Sequence, residues 1–179
     1  GYLRNPLAEP SILGTSNAAA LGAVSAFYFG WASASPFMLP LLSILCACAA
    51  LGLLTLLAGR SDNILTLILA GIAIGTLSGA AISLALNLSP NPFAAMEIMT
   101  WLMGSLENRS FQHLWIATPP ILFAIALLTL DGRALDALSL GTDSAQSLGV
   151  DMKATRLRLL LGVSIGVGAA VAVAGAIGF

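Results

Sequence analysis

ILTLILAGIAIGTLSGAAISLALNL, residues 64–88, runs for 25 residues without one charged side chain. The hydrocarbon core of a bilayer is about 30 Å thick, so a helix needs roughly 20 mostly apolar residues to cross it. A run this long, set between the polar turn Arg60-Ser61-Asp62-Asn63 and the breaker SPNP, predicts a membrane-spanning helix. Four further segments of the same kind lie outward from it: residues 12–29 behind the turn-rich RNPLAEPS, 37–58 opened by Pro36 and Pro40, 114–130, and 157–179. Pro119-Pro120 is expected to bend the first turns of the fourth span. Apolar residues make up 58% of the chain and charged ones only 8%, against about 25% charged in a soluble domain. The unbroken apolar runs exclude a β-barrel, whose strands alternate polar and apolar residues. The fold class is therefore all-α: a polytopic membrane helix bundle embedded in the lipid bilayer.

The chain starts without an initiator Met and stops inside an apolar run, so it reads as a piece of a longer protein, truncated at both ends, with no signal-peptide pattern before the first span. A net charge of −1 and the lack of a basic patch give no reason to expect nucleic acid as a partner. Cys46 and Cys48 stand two residues apart in an apolar run and point to different sides of a helix, which favours inert thiols over a disulfide or metal pair. No metal site is expected.

Between the third and fourth spans lies SPNPFAAMEIMTWLMGSLENRSFQ. Its apolar part, 93–103, would reach only about 16 Å as a helix, too short to cross. A re-entrant or interfacial helix is expected there, with Trp101 and Trp115 as interface anchors. If the spans alternate, Arg4, Arg60, Arg133, Lys153, Arg156 and Arg158 share one side, leaving Arg109 alone on the other. Such asymmetry marks the cytoplasmic side. It places residues 131–156 in the cytoplasm and the short helix on the exterior.

Gly71, Gly75 and Gly79 form a GxxxGxxxG ladder on the third span, and Gly162, Gly166, Gly168, Ala172 and Gly175 repeat the theme on the fifth. Small residues let helix backbones approach where the hydrophobic effect cannot drive association. Packing inside one bundle is favoured over a dimer-specific or substrate-lining role. No Asp, Glu, Lys, Arg or His falls in the middle of any span. Ion-coupled transporters usually place such groups near the midplane, and intramembrane proteases need a Ser/His pair, an Asp pair or a metal motif. His113, the one histidine, sits at the outer edge, where an interfacial role is favoured over catalysis. No catalytic residue is identified, and the chain is not expected to be an enzyme.

The longest polar interruption is DGRALDALSLGTDSAQSLGVDMKATRLR, residues 131–158. Within it, Ala134, Leu135 and Leu138 share one side of a short helix. Gly141 can end that helix by taking φ > 0. Asp143 can cap a second helix, with Gln146 in capping-box position. Gly149 ends the second helix, and Asp151 can cap the next. Two short helices joined by a glycine make a knob with exposed leucines, fit for the groove of a cytoplasmic partner. An amphipathic loop lying on the membrane surface is the other reading, and the pattern alone does not choose.

The pattern LSLGTDSAQSLGV resembles the coupling-helix loop of the large ABC importer permeases for iron-siderophores, haem and vitamin B12, the FecCD-type family. RNPLAEPSILGTSNAAALGAV resembles that family's turn between its second and third helices, LILAGIAIG the start of its fifth, and WLMGSLENRSF its external WxxGS segment. VAGAIGF resembles the start of its signature on the seventh helix, whose Gly-Leu-x-x-Pro-His continuation is absent. The likeness covers essentially the whole chain, in the family's order and spacing.

The resemblance implies a ten-helix permease, of which this chain covers about helices 3 to 7, in the bacterial plasma (inner) membrane. It implies pairing with a second permease subunit, identical or homologous, around a central pathway, and delivery of the ligand by a periplasmic binding protein. Leu135, Leu138, Leu140, Gly141, Asp143, Ala145, Leu148 and Gly149 would dock a cytoplasmic ABC ATPase. ATP and Mg would bind on that partner, in keeping with the absence of a Gly-rich phosphate motif here. Ser61, Asp62 and Asn63 stand where the family places its inner gate, although Ile64 and Leu65 are greasier than in some members. Trp101 and Gly104 stand on the external side, where a binding protein would dock. Asn5, Pro6 and Glu9 form the turn before the third helix and read as a rigid capped turn rather than a ligand contact. The expected cargo is a bulky metal chelate: ferric siderophore first, then haem and cobalamin, an order resting on how common those systems are and on no residue. The rival expectation is an ion-coupled secondary transporter with a regulatory cytoplasmic loop.

Overall fold

A computed structural model of the chain describes residues 13–58, 64–89, 92–104 and 110–176. The described residues form nine helices and no strand. They are α1 (Thr15–Tyr28), α2 (Trp31–Ala34), α3 (Met38–Ala58), α4 (Ile64–Asn87), α5 (Pro92–Leu102), α6 (Phe111–Leu130), α7 (Gly132–Ser139), α8 (Thr142–Ser147) and α9 (Met152–Ala174). Four of them, α3, α4, α6 and α9, are long and apolar enough to cross a membrane.

The first of the five expected spans is shorter than anticipated. With 14 residues, α1 reaches about 21 Å at 1.5 Å per residue. Its bounds are set by two glycines in the left-handed region, Gly14 (φ 71°) before it and Gly30 (φ 71°) after it. Gly14 is held there by contact: a Cβ on it would lie 2.5 Å from the Gly71 carbonyl oxygen and 2.8 Å from the Gly75 nitrogen. Other boundaries also move. The short helix expected on the exterior begins at Pro92, where proline suits a first helical turn. The fourth long helix begins at Phe111 rather than 114, because Ser110 and His113 form its N-terminal cap: the Ser110 amide donates to His113 Nδ1 at 3.3 Å, and the Ser110 hydroxyl lies 2.9 Å from the same nitrogen. Pro119 and Pro120 sit inside that helix without ending it. The last long helix begins at Met152, five residues before the expected 157, because Asp151 caps it.

The core lies where α1 meets α3, α4 and α9, with α6 packed along α9. It is built from small residues. Ala19, Ala23 and Ala26 of α1 and Ala47 of α3 are fully buried. Gly22 admits α3 so closely that a Cβ would fall 2.9 Å from the Ser43 Cα and collide with the Leu42 carbonyl. On α9, Gly168 faces Ile44 and Ala47 of α3, while Gly162 and Gly166 face Leu128 and Ala124 of α6. Polar bonds pin α1 to α4 at both ends: Asn17 donates to the Gly75 carbonyl at 3.2 Å, and the Tyr28 hydroxyl donates to the Leu88 carbonyl at 3.1 Å. The numbers rise together, so α1 and α4 run parallel. The ends of α1 and α9, the starts of α3 and α6, and α5 gather at one end of the bundle; α7 and α8 stand at the other.

Candidate coupling site

The α7–α8 knob is built by local chemistry. Ala137 of α7 is buried and Leu135 and Leu138 half-buried, while Arg133, Asp136 and Ser139 face outward. The α7 helix runs out at Leu140, and Gly141 then takes φ 110°, ψ 156°. That φ is positive, as expected, but the ψ is extended rather than left-handed helical. Gly141 is also the N-cap of α8, and its carbonyl accepts from the Ala145 amide at 3.0 Å. The expectation that Asp143 caps this helix is therefore corrected: α8 starts at Thr142, and Asp143 falls inside its first turn.

Gly149 (φ 82°) closes α8 with two reversed bonds, Val150 amide to Ala145 carbonyl at 3.1 Å and Gly149 amide to Gln146 carbonyl at 2.9 Å. This is the Schellman arrangement, in which a left-handed glycine lets the last carbonyls of a helix be satisfied. Asp151 then opens α9, its carboxylate accepting from the Lys153 and Ala154 amides at 3.0 and 3.1 Å. Ala145 is fully buried, whereas Leu140 and Leu148, one at each end of α8, are 70% and 66% exposed. Two large apolar side chains thus stand free on the polar end of the molecule.

The base of the knob carries a feature that sequence reasoning missed. Asp131, 2% exposed, is gripped by Arg158: Nη2 donates to Oδ1 at 2.6 Å, and Nε lies 2.9 Å from Oδ2 and 3.1 Å from Oδ1. It is the one ion pair among the described residues. The two residues are the ends of the polar interruption itself, and the helical seam between α6 and α9 was the signal that could have joined them.

The other candidates are placed less favourably. Gly71 and Gly75 meet α1 through Gly14 and Asn17, but a Cβ on Gly79 would touch nothing, so two rungs of the ladder pack and the third stands open among the described residues. Trp101 is corrected from an interface anchor to a core residue: it is 8% exposed, packs with Ala19, Ala20, Ala23 and Val171, and lies 5.8 Å from the Phe27 ring centre. Gly104 (φ 70°) closes over Gly175, whose hypothetical Cβ would lie 2.8 Å from the Gly104 Cα. Trp115, by contrast, is 75% exposed. Ser61, Asp62 and Asn63 lie outside the described residues, as do Asn5, Pro6 and Glu9. Cys46 and Cys48 are unpaired and half-buried. No metal-binding cluster occurs among the described residues. At the end opposite the knob is a cavity of about 840 Å³ lined by Phe27, Met96, Glu97, Trp101, His113 and Val173.

These features define a multi-pass membrane protein: long apolar helices, no ionisable side chain in their middles, and a structured knob at one polar end. The chain belongs to the FecCD transport family, whose family model matches residues 1–179. It is 38% identical over 181 residues to a vitamin B12 import system permease of Vibrio vulnificus, covering 99% of this chain and 53% of that one. It is 38% identical over 189 residues to a hemin transport system permease of Yersinia pestis, covering 100% and 54%. An uncharacterised ABC transporter permease of Bacillus subtilis is 35% identical over 184 residues, with 100% and 52% covered. The chain thus spans about half the length of the curated relatives it matches. A solved structure described as the inward-facing conformation of a metal-chelate type ABC transporter superposes with a TM-score of 0.86 at 32% identity, covering 99% of this chain and 56% of that one.

Proposed function

We propose that this chain is part of the membrane subunit of an ATP-driven importer for a bulky metal chelate. The observation that carries the proposal is the α7–Gly141–α8 knob, with Leu140 and Leu148 exposed on a glycine-set frame. In this reading Leu135, Leu138, Leu140, Gly141, Asp143, Ala145, Leu148 and Gly149 form the cytoplasmic surface that docks an ABC ATPase. ATP closure on that partner changes its contacts with the knob and so shifts an inward/outward equilibrium of the helices. The membrane subunit does no chemistry; ATP and Mg belong to the partner. A second permease copy, identical or homologous, would complete the pathway, and a periplasmic binding protein would deliver the cargo at the α5 end. The residues Ser61, Asp62 and Asn63 retain the proposed role of inner gate. Ferric siderophore, haem and cobalamin are the cargo candidates; two relatives of this chain are a vitamin B12 import system permease and a hemin transport system permease.

The test is uptake by the full-length permease, reconstituted in liposomes with its ATPase and supplied with ferrichrome, haemin or cyanocobalamin on its binding protein. Uptake of one of them is expected only with ATP on the ATPase face of the membrane, and vanadate should stop it. Uptake driven by a proton or sodium gradient without ATP would replace this reading with the secondary-transporter one.

A further inference from the structure

A carboxylate at the first position of a helix normally bonds back to the amides of its own first turn. Asp131 precedes α7 and does not: its side chain caps nothing there. It turns instead to Arg158, 27 positions along the chain, and uses both oxygens on one guanidinium. A side chain that gives up local capping for a buried, forked contact is held by tertiary geometry. Arginine suits this because its planar fork matches a carboxylate at two points.

The pair also sits at a particular place on the seam between α6 and α9. Ala124 faces Gly166, and Leu128 faces Gly162 one turn further on. Asp131 faces Arg158 after one more turn. The numbers fall on one helix as they rise on the other, so the helices are antiparallel and the ion pair is the last rung. Outside its own glycine turns at Gly141 and Gly149, the knob joins the long helices at two departures from regular helix geometry, Asp131 (φ −96°, ψ 11°) and Asp151 (φ −75°, ψ 97°). Those are the two places where a push on the knob could be absorbed by rotation before reaching the long helices.

We infer that Asp131 and Arg158 are positioning residues that form a transmission clasp, tying α6 to α9 at the base of the knob so that its displacement moves both helices together. The inference rests on the coupling function proposed above. Without the clasp, the knob still docks an ATPase, but its motion is spent at the Asp131 and Asp151 joints. Docking and transmission are then separable, and the ratio of uptake to ATP hydrolysis reads the difference.

The experiment uses the full-length permease with its ATPase and binding protein in liposomes, with whichever of ferrichrome, haemin and cyanocobalamin the unaltered complex takes up. Asp131→Asn and Arg158→Gln are expected to keep the ATPase bound and hydrolysing while uptake per ATP falls about tenfold, within the usual span of coupling free energies. The exchanged pair Asp131→Arg with Arg158→Asp should recover most of that loss. Should a neutralised variant fail to reach the membrane, Arg158→Lys carries the test; it keeps the charge, loses the fork, and is expected to lower uptake per ATP by about threefold. Normal uptake per ATP in the accumulated variants would overturn the clasp while leaving the importer reading intact. A parallel fall in hydrolysis and uptake, with no change in their ratio, would also overturn it, by reducing the pair to a structural role. An unaltered complex that takes up cargo without ATP would instead remove the importer reading beneath it.

Discussion

Replacing Gly141 by alanine separates backbone conformation from packing. A Cβ at this position would meet no atom within 4 Å, so a clash contributes nothing. What remains is the backbone at φ 110°, ψ 156°, a region that residues other than glycine scarcely enter. Holding a side chain there costs about 1–3 kcal/mol. The chain can escape that strain only by rotating at position 141, and α8 is then lost or re-aimed, because at six residues it cannot sustain itself apart from its anchors. The Gly141 carbonyl that receives the Ala145 amide would turn with it.

A penalty of that size shifts the population of the docking geometry by roughly 5- to 150-fold. The assay is ATP-dependent uptake, with ATP hydrolysis and membrane accumulation of the full-length protein measured on the same preparations. Gly141→Ala should insert normally yet lose most coupled uptake, and Gly141→Val should lose more. The control is Gly132→Ala, nine positions earlier on the same knob: it too faces open space, but its φ is not positive. It should be neutral, or stabilise α7 by up to about 1 kcal/mol. Equal, normal uptake by both alanine variants would refute the reasoning, since the strain argument requires them to differ.

Two further outcomes are expected. Gly22→Ala, which would press a methyl group against the Leu42 and Ser43 backbone, should destabilise the full-length protein by about 1–3 kcal/mol in a detergent melt, whereas Gly52→Ala, with open space around it, should not destabilise. A cysteine at the exposed Ser144 should be shielded from a membrane-impermeant thiol reagent in intact cells and labelled after permeabilisation; labelling from outside would reverse the orientation drawn from the basic residues.

The helical membrane fold was legible because it rests on one-dimensional signals: apolar length, breakers and charge. The ends of the knob were legible for a similar reason. Gly149 and Asp151 act through bonds that span two to five positions, within reach of local pattern. Asp143 misled because Gly141 and Asp143 are both plausible caps two positions apart, and only the path of α7 decides between them. Trp101 misled for a different reason. A tryptophan near a helix end reads as an anchor whether it faces lipid or protein, and the difference lies in Ala19, Ala20 and Ala23, almost eighty residues away, which leave room for its ring. The short reach of α1 was hidden likewise, since Gly14 is tied down by Gly71 and Gly75.

Charge placement joins the fold to the function. Burying an unpaired charge in a membrane protein is costly, and such groups are retained where they do work. The middles of the described spans carry none. Among the described residues, the one buried carboxylate that forms an ion pair lies at the boundary, where α6 gives way to the knob, and its partner lies on α9. In the coupling reading proposed above, a push on the knob reaches α6 through Asp131 and α9 through the turn at Asp151, and the ion pair ties the two helices together beside those junctions. A permease driven from outside the membrane needs stiffness at that boundary more than chemistry at its centre, and that is where this chain places its forked ion pair.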